Sequence, residues 1–239
     1  MLENKVAIVT GGSSGIGEAI VRLFAKNKAR VVIASINCAK TSQLVNDRTV
    51  FIQTDVREEE QVKRTVTETI KKFGRIDIVV NNAGINFQHQ DDIVNFPLQD
   101  YRNIIDTNLT GTFLFMKHSL PHLLETKGAI INIASQLGLV PEPYFAVYCA
   151  SKAAVIMFTK AVAVKYAEEG LRINCVCPGP TDTSFLRKPF PVEKIPMRRL
   201  GTPEEVAKVV LFLASGESSY VTGGIYTVDG GSSLARPRR

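Results

Sequence analysis

Thr10-Gly11-Gly12-Ser13-Ser14-Gly15-Ile16-Gly17 follows a short apolar run, Lys5–Thr10, and opens a segment, Gly15–Lys28, whose apolar residues recur at helical spacing. A strand that turns through glycines into a helix does specific physical work. The glycines permit a tight turn and let the backbone come close to a pyrophosphate, and the amides at the start of the helix offer that phosphate a positive end. Gly11, Ser13, Ser14, Gly15, Ile16 and Gly17 are therefore the first candidate binding residues, for a dinucleotide. The spacing is Gly-x-x-x-Gly-x-Gly, not the commoner Gly-x-Gly-x-x-Gly. A purely structural turn is the competing reading until the rest of the chain is weighed.

Outward from this turn, short β-branched runs alternate with helical patterns. Strands are expected at Lys5–Thr10, Arg30–Ser35, Thr49–Thr54, Ile76–Asn81, Ala129–Ser135, Arg172–Cys177 and Ile225–Val228. Helices are expected at Gly15–Lys28, Ala39–Asn46 (short), Glu58–Phe73, Leu98–Leu124, Tyr148–Glu169 and Pro203–Ser215. Such alternation predicts βαβ units joined by right-handed crossovers: an α/β, Rossmann-type doubly wound sheet of seven mostly parallel strands flanked by helices, with ligands beyond the strands' carboxyl ends. No linker or fixed-period repeat divides residues 1–239, so one domain is expected. Residues 180–199 carry Pro180, Pro189, Pro191 and Pro196 and form a loop too long to be a mere connection, hence a candidate substrate lid.

The bulk composition excludes several classes. With 45% hydrophobic and 22% charged residues the chain is of ordinary globular make-up. The run Val6–Val9 is too short for a signal-peptide core, and no apolar stretch is judged to approach the roughly 18 residues of a membrane span, so a soluble, cytoplasmic protein is expected. The net charge is +6, and Arg236, Arg238 and Arg239 in the tail 235–239 supply half of it. A solvated basic tail accounts for this better than a nucleic-acid-binding surface. Cys175 and Cys177, two apart on a strand, would have Cα atoms roughly 6.6 Å apart, at the long end for a disulfide, and Cys38 and Cys149 have no metal-ligand spacing; reduced thiols are expected. His118 and His122 are four apart, but Pro121 lies between them and Glu125 is the one carboxylate nearby, so they read as helix surface and not as a metal site.

Chemistry enters with Tyr148 and Lys152, four apart at the start of a helix and therefore on one face. Lowering a tyrosine by roughly three units toward neutrality requires about 4 kcal/mol of preference for the phenolate. A nearby ammonium is able to supply it, making Tyr148 a general base for alcohol oxidation or an acid for carbonyl reduction. Ser135, at the end of a strand, offers a hydroxyl to hold the substrate oxygen. Asn108, within an otherwise apolar helix (Leu109, Phe113, Leu114, Phe115), is a buried polar group in need of partners.

In this order the landmarks TGGSSGIG at Thr10–Gly17, Asp55, Asn81-Asn82-Ala83-Gly84, Asn108, Ser135, Tyr148-Cys149-Ala150-Ser151-Lys152, Pro178-Gly179 and Val228-Asp229-Gly230-Gly231 resemble the short-chain dehydrogenase/reductase family over nearly the whole chain, members akin to 3-oxoacyl-carrier-protein reductases included. The resemblance implies an Asn108-Ser135-Tyr148-Lys152 tetrad, with Asn108 positioning a water toward Lys152. It implies that Asn82, Ala83 and Gly84 support the sheet and the adenosine half of the cofactor. Asp55 and Val56 would meet the adenine, although Asp55 is equally readable as a cap on the helix starting near Arg57. Pro178, Gly179, Thr181 and Thr183 would meet the nicotinamide, with Tyr148 and Lys152 also touching the cofactor, and Gln136 and Phe185 would join Ser135 and Tyr148 at the substrate.

An acidic residue usually ends the second strand in NAD enzymes and a basic one in NADP enzymes. Here the strand ends Ala34-Ser35-Ile36-Asn37, leaving Ser35, Asn37 and Lys40 as donors, so NADP(H) is favoured with NAD(H) as the alternative. The function expected is NAD(P)-dependent interconversion of an alcohol and a ketone or aldehyde; a non-catalytic nicotinamide sensor is the rival, one expected to have lost Tyr148 or Lys152. The substrate stays open between a 3-oxoacyl thioester and an alcohol or sugar: the lid mixes Phe185, Leu186, Phe190, Ile195 and Met197 with Arg187, Lys188, Lys194, Arg198 and Arg199, while Glu168 and Glu169 disfavour docking of an acidic carrier. The helix from Tyr148 is apolar on too many sides for one buried stripe, which predicts a homo-oligomer, a tetramer by resemblance.

Overall fold

The computed structural model describes the chain except residues 39–40, 87–92, 187–188 and 235–239. The basic tail, Arg187, Lys188 and Lys40 thus lie outside the described residues. Seven strands, β1 (Val6–Thr10), β2 (Arg30–Ser35), β3 (Thr49–Gln53), β4 (Ile78–Asn81), β5 (Ala129–Ile133), β6 (Arg172–Pro178) and β7 (Ile225–Val228), form one sheet in the order β3-β2-β1-β4-β5-β6-β7. Every adjacent pair is parallel. The apolar runs are continuous because both faces are covered: β1, β4 and β5 are buried along their whole length.

Among the described residues six α-helices flank the sheet: α1 (Gly15–Lys26), α2 (Glu59–Phe73), α3 (Leu98–Ile105), α4 (Gly111–Thr126), α5 (Ala146–Tyr166) and α6 (Pro203–Ala214). One core, with Ile20, Phe24, Val206 and Val210, fills the space between the sheet and α1 and α6. A second, with Val62, Val66, Phe115, Leu123 and Ala163, lies under α2, α4 and α5, and a third gathers Val155 and Ile156 of α5 with Cys175 and Cys177 of β6. The chain runs outward from β1 to β3 and then returns to β4 beside β1. This reversal opens a crevice beyond the carboxyl ends of β1 and β4.

The structure departs from the sequence reading in four places. The described part of the expected helix Ala39–Asn46 is a series of turns, because Thr41 Oγ1 donates to Cys38 O and Asn46 Oδ1 accepts from the amides of Arg48 and Thr49, side-chain bonds that compete with a helix. The expected helix Leu98–Leu124 is interrupted by a π turn at Asp106–Thr110, which separates α3 from α4. Ser135 lies beyond β5, not in it, in extended backbone (φ −165°) heading a short turn at Gln136–Gly138. Finally, Pro143–Tyr166 is a stretch long and apolar enough to cross a membrane, contrary to the expectation that none approaches that length. Its apolar residues serve the sheet: Val155, Ile156 and Ala163 are buried in the cores.

The four cysteines are free, with Cys175 and Cys177 Sγ 4.0 Å apart on one face of β6. His118 Nε2 lies 2.8 Å from Glu59 Oε1, a pair between α4 and α2. Among the described residues no group of three potential ligands would hold a metal.

Candidate active site

A single cleft of about 1400 Å³ follows the carboxyl ends of β1, β2, β4, β5 and β6 and takes in nearly every residue nominated from the sequence. At one end is the glycine turn. Gly11 and Gly15 adopt positive φ (62° and 53°), conformations that other residues take at a cost. A Cβ on Gly17 would drive into the carbonyl oxygen of Gly11, so the helix is able to begin against the turn only because that position is bare. Ser14 precedes α1 without capping it by its side chain, which leaves the first amides of the helix uncapped among residues that line the cleft. These residues form a cradle that a side chain would fill, and a pyrophosphate fits it on both shape and charge.

The cradle is tied to the next strand. Thr10 Oγ1 accepts from the amides of Asn82 and Ala83, both at 2.9 Å, while Asn82 Nδ2 donates to Thr10 O at 2.9 Å and Gly11 O at 3.3 Å. Asn82 thus locks β1 to β4 at the crevice. Ser13 and Ser35 hydroxyls meet at 2.8 Å, bringing the turn and the end of β2 together. Asn37 and Val56 also line the cleft. Asp55 does not cap α2: its carboxylate accepts from the Arg57 amide and grips the Arg57 guanidinium, with Nη2 at 2.6 Å. That guanidinium holds the carboxyl below its usual value. Arg57, unforeseen from the sequence, lines the cleft beside it. Across the gap, Thr183 approaches Gly15, and Pro178, Gly179 and Thr181 form the opposite wall.

At the other end, α5 presents Tyr148 and Lys152, both buried. Ser135 stands beside Tyr148, and its Oγ accepts from Leu137 N. Lys152 Nζ donates to Ile133 O at 2.9 Å and stands 5.8 Å from the centre of the Tyr148 ring. The expectation that Lys152 lowers the phenol is not met in this arrangement. Burial dominates both groups: it pushes Tyr148 up to about 12, against the opposing influence of Ser135, and drives Lys152 down to about 8. Both are driven toward their neutral forms, which suits Tyr148 to proton donation.

Asn108 sits in the π turn, where its Nδ2 donates to Ile85 O and to Ser151 Oγ, both at 3.0 Å, and its Oδ1 accepts from Ile85 N at 2.8 Å. Ser151 in turn donates to Tyr148 O. This link from Asn108 to α5 was not anticipated, although Ser151 stands between the two landmark residues. A Cβ on Gly84 would lie 3.2 Å from Lys152 Nζ and 3.3 Å from Asn108 Oδ1, so a glycine keeps open the space that the two share. A second buried chain steadies the helix: Asn81 Nδ2 donates to Asn132 Oδ1, and Asn132 Nδ2 to Thr159 on α5.

The 180–199 segment divides in two. Its far part is anchored, with Ile195 fully buried and Met197 N bonded to Gly230 O. Its near part lines the cleft, and the Phe185 ring lies 6.1 Å from that of Tyr148. Gln136 lines the floor beside Gly179.

A family model described as enoyl-(acyl carrier protein) reductase matches residues 11–233. A 3-oxoacyl-[acyl-carrier-protein] reductase of Thermotoga maritima is 37% identical over 96% of this chain and 98% of that one. An L-fucose dehydrogenase of Bos taurus is 39% identical over 98% of this chain and 92% of its own. Among solved structures, a 3-ketoacyl-(acyl-carrier-protein) reductase from Brucella melitensis, complexed with NADH, superposes with a TM-score of 0.93 at 33% identity, covering 98% of this chain and all (100%) of that one. With the glycine cradle, the all-parallel sheet and the tyrosine and lysine on α5 in place, the chain belongs to the short-chain dehydrogenase/reductase family of oxidoreductases.

Proposed function

We propose that the cleft interconverts a secondary or primary alcohol and the corresponding carbonyl with NADP(H), Tyr148 being the residue that exchanges a proton with the substrate oxygen. The observation that carries this reading is buried Tyr148, beside Ser135 and one helical turn from Lys152, in the cradle-bearing cleft. When bound, the nicotinamide supplies or accepts the hydride. In reduction, the carbonyl carbon gains that hydride and the carbonyl oxygen takes the Tyr148 proton; oxidation reverses both transfers. Ser135 holds the oxygen, Lys152 restores the tyrosine proton from the space by Gly84, and Asn108 holds the partners of that space in register. Gln136 and Phe185 bound the substrate, under a lid formed by residues 180–199.

On the cofactor side, Gly11, Ser13, Ser14, Gly15, Ile16 and Gly17 would hold the pyrophosphate, and Asp55, Val56, Asn82, Ala83 and Gly84 the adenosine half. Pro178, Gly179, Thr181 and Thr183 would meet the nicotinamide amide. NADP(H) is favoured over NAD(H) because the end of β2 offers hydroxyls, Ser35 with its partner Ser13, where a carboxylate would repel a 2′-phosphate. Free thiols support a reducing, cytoplasmic setting. A homotetramer is supported by a solvent-facing apolar stripe on α5, with Met157 63% and Val164 79% exposed, beside Phe113 of α4.

The test is Tyr148→Phe. Turnover should fall by roughly 10²–10⁴-fold with cofactor affinity nearly unchanged, since the ring remains and its proton is gone. Turnover retained at wild-type level would refute the assignment.

A further inference from the structure

The turn between β3 and α2 holds an ion pair that the alcohol–carbonyl chemistry does not use. The Asp55 carboxylate accepts from three N–H groups of Arg57: the amide at 3.0 Å to Oδ1, Nε at 3.0 Å to Oδ1 and 3.1 Å to Oδ2, and Nη2 at 2.6 Å to Oδ2. The backbone is fixed as well, since Asp55 N donates to Gln61 Oε1 at 2.9 Å. The same guanidinium reaches a second element: its Nη1 donates to Asn103 Oδ1 of α3 at 3.4 Å, an oxygen that also accepts from Gln99 Nε2 at 3.2 Å. Asp55, Arg57 and Asn103 all line the cleft. They belong to its cradle side, because Thr54 N donates to Ser35 O at 3.0 Å and Ser35 meets Ser13 of the glycine turn.

An exposed pair of this kind adds little to stability, but a fork that takes both carboxylate oxygens fixes their direction. The Asp55 side chain is 20% exposed, so a ligand in the cleft is able to reach it. A carboxylate accepts about four donors, which leaves room for one beyond those of Arg57. Resting on the cofactor placement proposed above, we infer that Arg57 is a positioning residue that aims the Asp55 carboxylate at the exocyclic amine of the adenine, and so makes the cleft select a 6-amino purine dinucleotide over its 6-oxo counterpart. An ionised carboxylate is an acceptor only. The 6-amino group donates to it, whereas a 6-oxo group sets one oxygen against another. Without the fork, the Asp55 side chain rotates away from the oxo base into solvent, and the discrimination falls.

The probes are whichever of NADH and NADPH binds more tightly and the same compound with hypoxanthine in place of adenine, titrated by nicotinamide fluorescence into wild type, Arg57→Met, Arg57→Lys and Asp55→Asn. Wild type should prefer the adenine compound by about tenfold to a hundredfold in Kd, the worth of a hydrogen bond to a charged acceptor. Arg57→Met should remove most of that preference. Arg57→Lys, which keeps the charge without the fork, should retain part of it. Asp55→Asn should abolish it, because an amide offers the base either a donor or an acceptor. Both ligands are titrated into one preparation, so partial unfolding leaves the ratio unaltered and a merely structural arginine would not move it. A ratio as large in both Arg57 variants as in wild type overturns the inference, as does a wild type that binds the two compounds equally; the oxidoreductase reading, which stands on Tyr148, survives either result. Failure of wild type to bind any nicotinamide dinucleotide overturns both.

Discussion

Lys152→Met removes one buried ammonium from the wall of the cleft, and the pH dependence of folding should report it. The lysine is 3% exposed and donates to Ile133 O, yet burial still lowers it from 10.5 to about 8. In the unfolded chain it returns to the ordinary value. Between about pH 8 and about pH 10.5 the unfolded state therefore holds a proton that the folded state has released, and stability rises with pH across that window. A shift of roughly 2.5 units corresponds to about 3 kcal/mol at 1.36 kcal/mol per unit. Wild type should gain about that much over Lys152→Met between about pH 7 and about pH 10.5, with little change in the difference below pH 7. Methionine keeps the length of the apolar stem, so the packing on β5 is largely retained. Urea unfolding of both proteins at about pH 7, 8.5 and 10 gives the difference directly. A flat difference, or one that moves against wild type as pH rises, would mean that the buried lysine is better solvated than its surroundings indicate.

Three further outcomes are expected. Ser35→Asp should swing kcat/KM toward NAD by adding an acceptor for the 2′-hydroxyl and repelling a 2′-phosphate; parallel kinetics with both cofactors would read the swing, and a constant ratio would show that the end of β2 does not meet the ribose. Gly17→Ala should abolish cofactor binding in a fluorescence titration, or unfold α1, because the added methyl collides with Gly11 O; wild-type affinity would contradict the geometry of the cradle. Val164→Asp should reduce the molar mass measured by light scattering, since a charge would enter the apolar stripe of α5; an unchanged mass would place any subunit contact elsewhere.

How much of this was legible beforehand follows from which forces are local. The strands announced themselves because a parallel sheet is buried on both faces, which makes Val6–Thr10 and Ala129–Ile133 almost wholly apolar. Tyr148 and Lys152 were found because a spacing of four on a helix is a statement about direction. Their ionisation was not legible. The pair looks like an activated phenolate on paper, whereas burial by elements far away in sequence shifts both groups toward their neutral forms. Similarly, Asp55 read as either a cap or an adenine contact, and its clasp on Arg57 depends on a turn that no periodicity reveals. The segment 41–46 went astray because its side-chain bonds to the backbone outweigh a short apolar pattern.

The π turn at Asp106–Thr110 has a genetic implication. A turn of that kind amounts to one residue inserted into an α-helix, and each residue of an α-helix advances the chain by about 100°. Losing any single residue there would rotate α3 by about that angle against α4, carrying Ile104 out of the core and swinging Asn108 away from Ser151 and Ile85. The segment should therefore tolerate replacement at Asp106 and almost no length change. In a library of variants, in-frame deletions across 106–110 should be depleted far more strongly than substitutions at Asp106, the exposed position of the same turn.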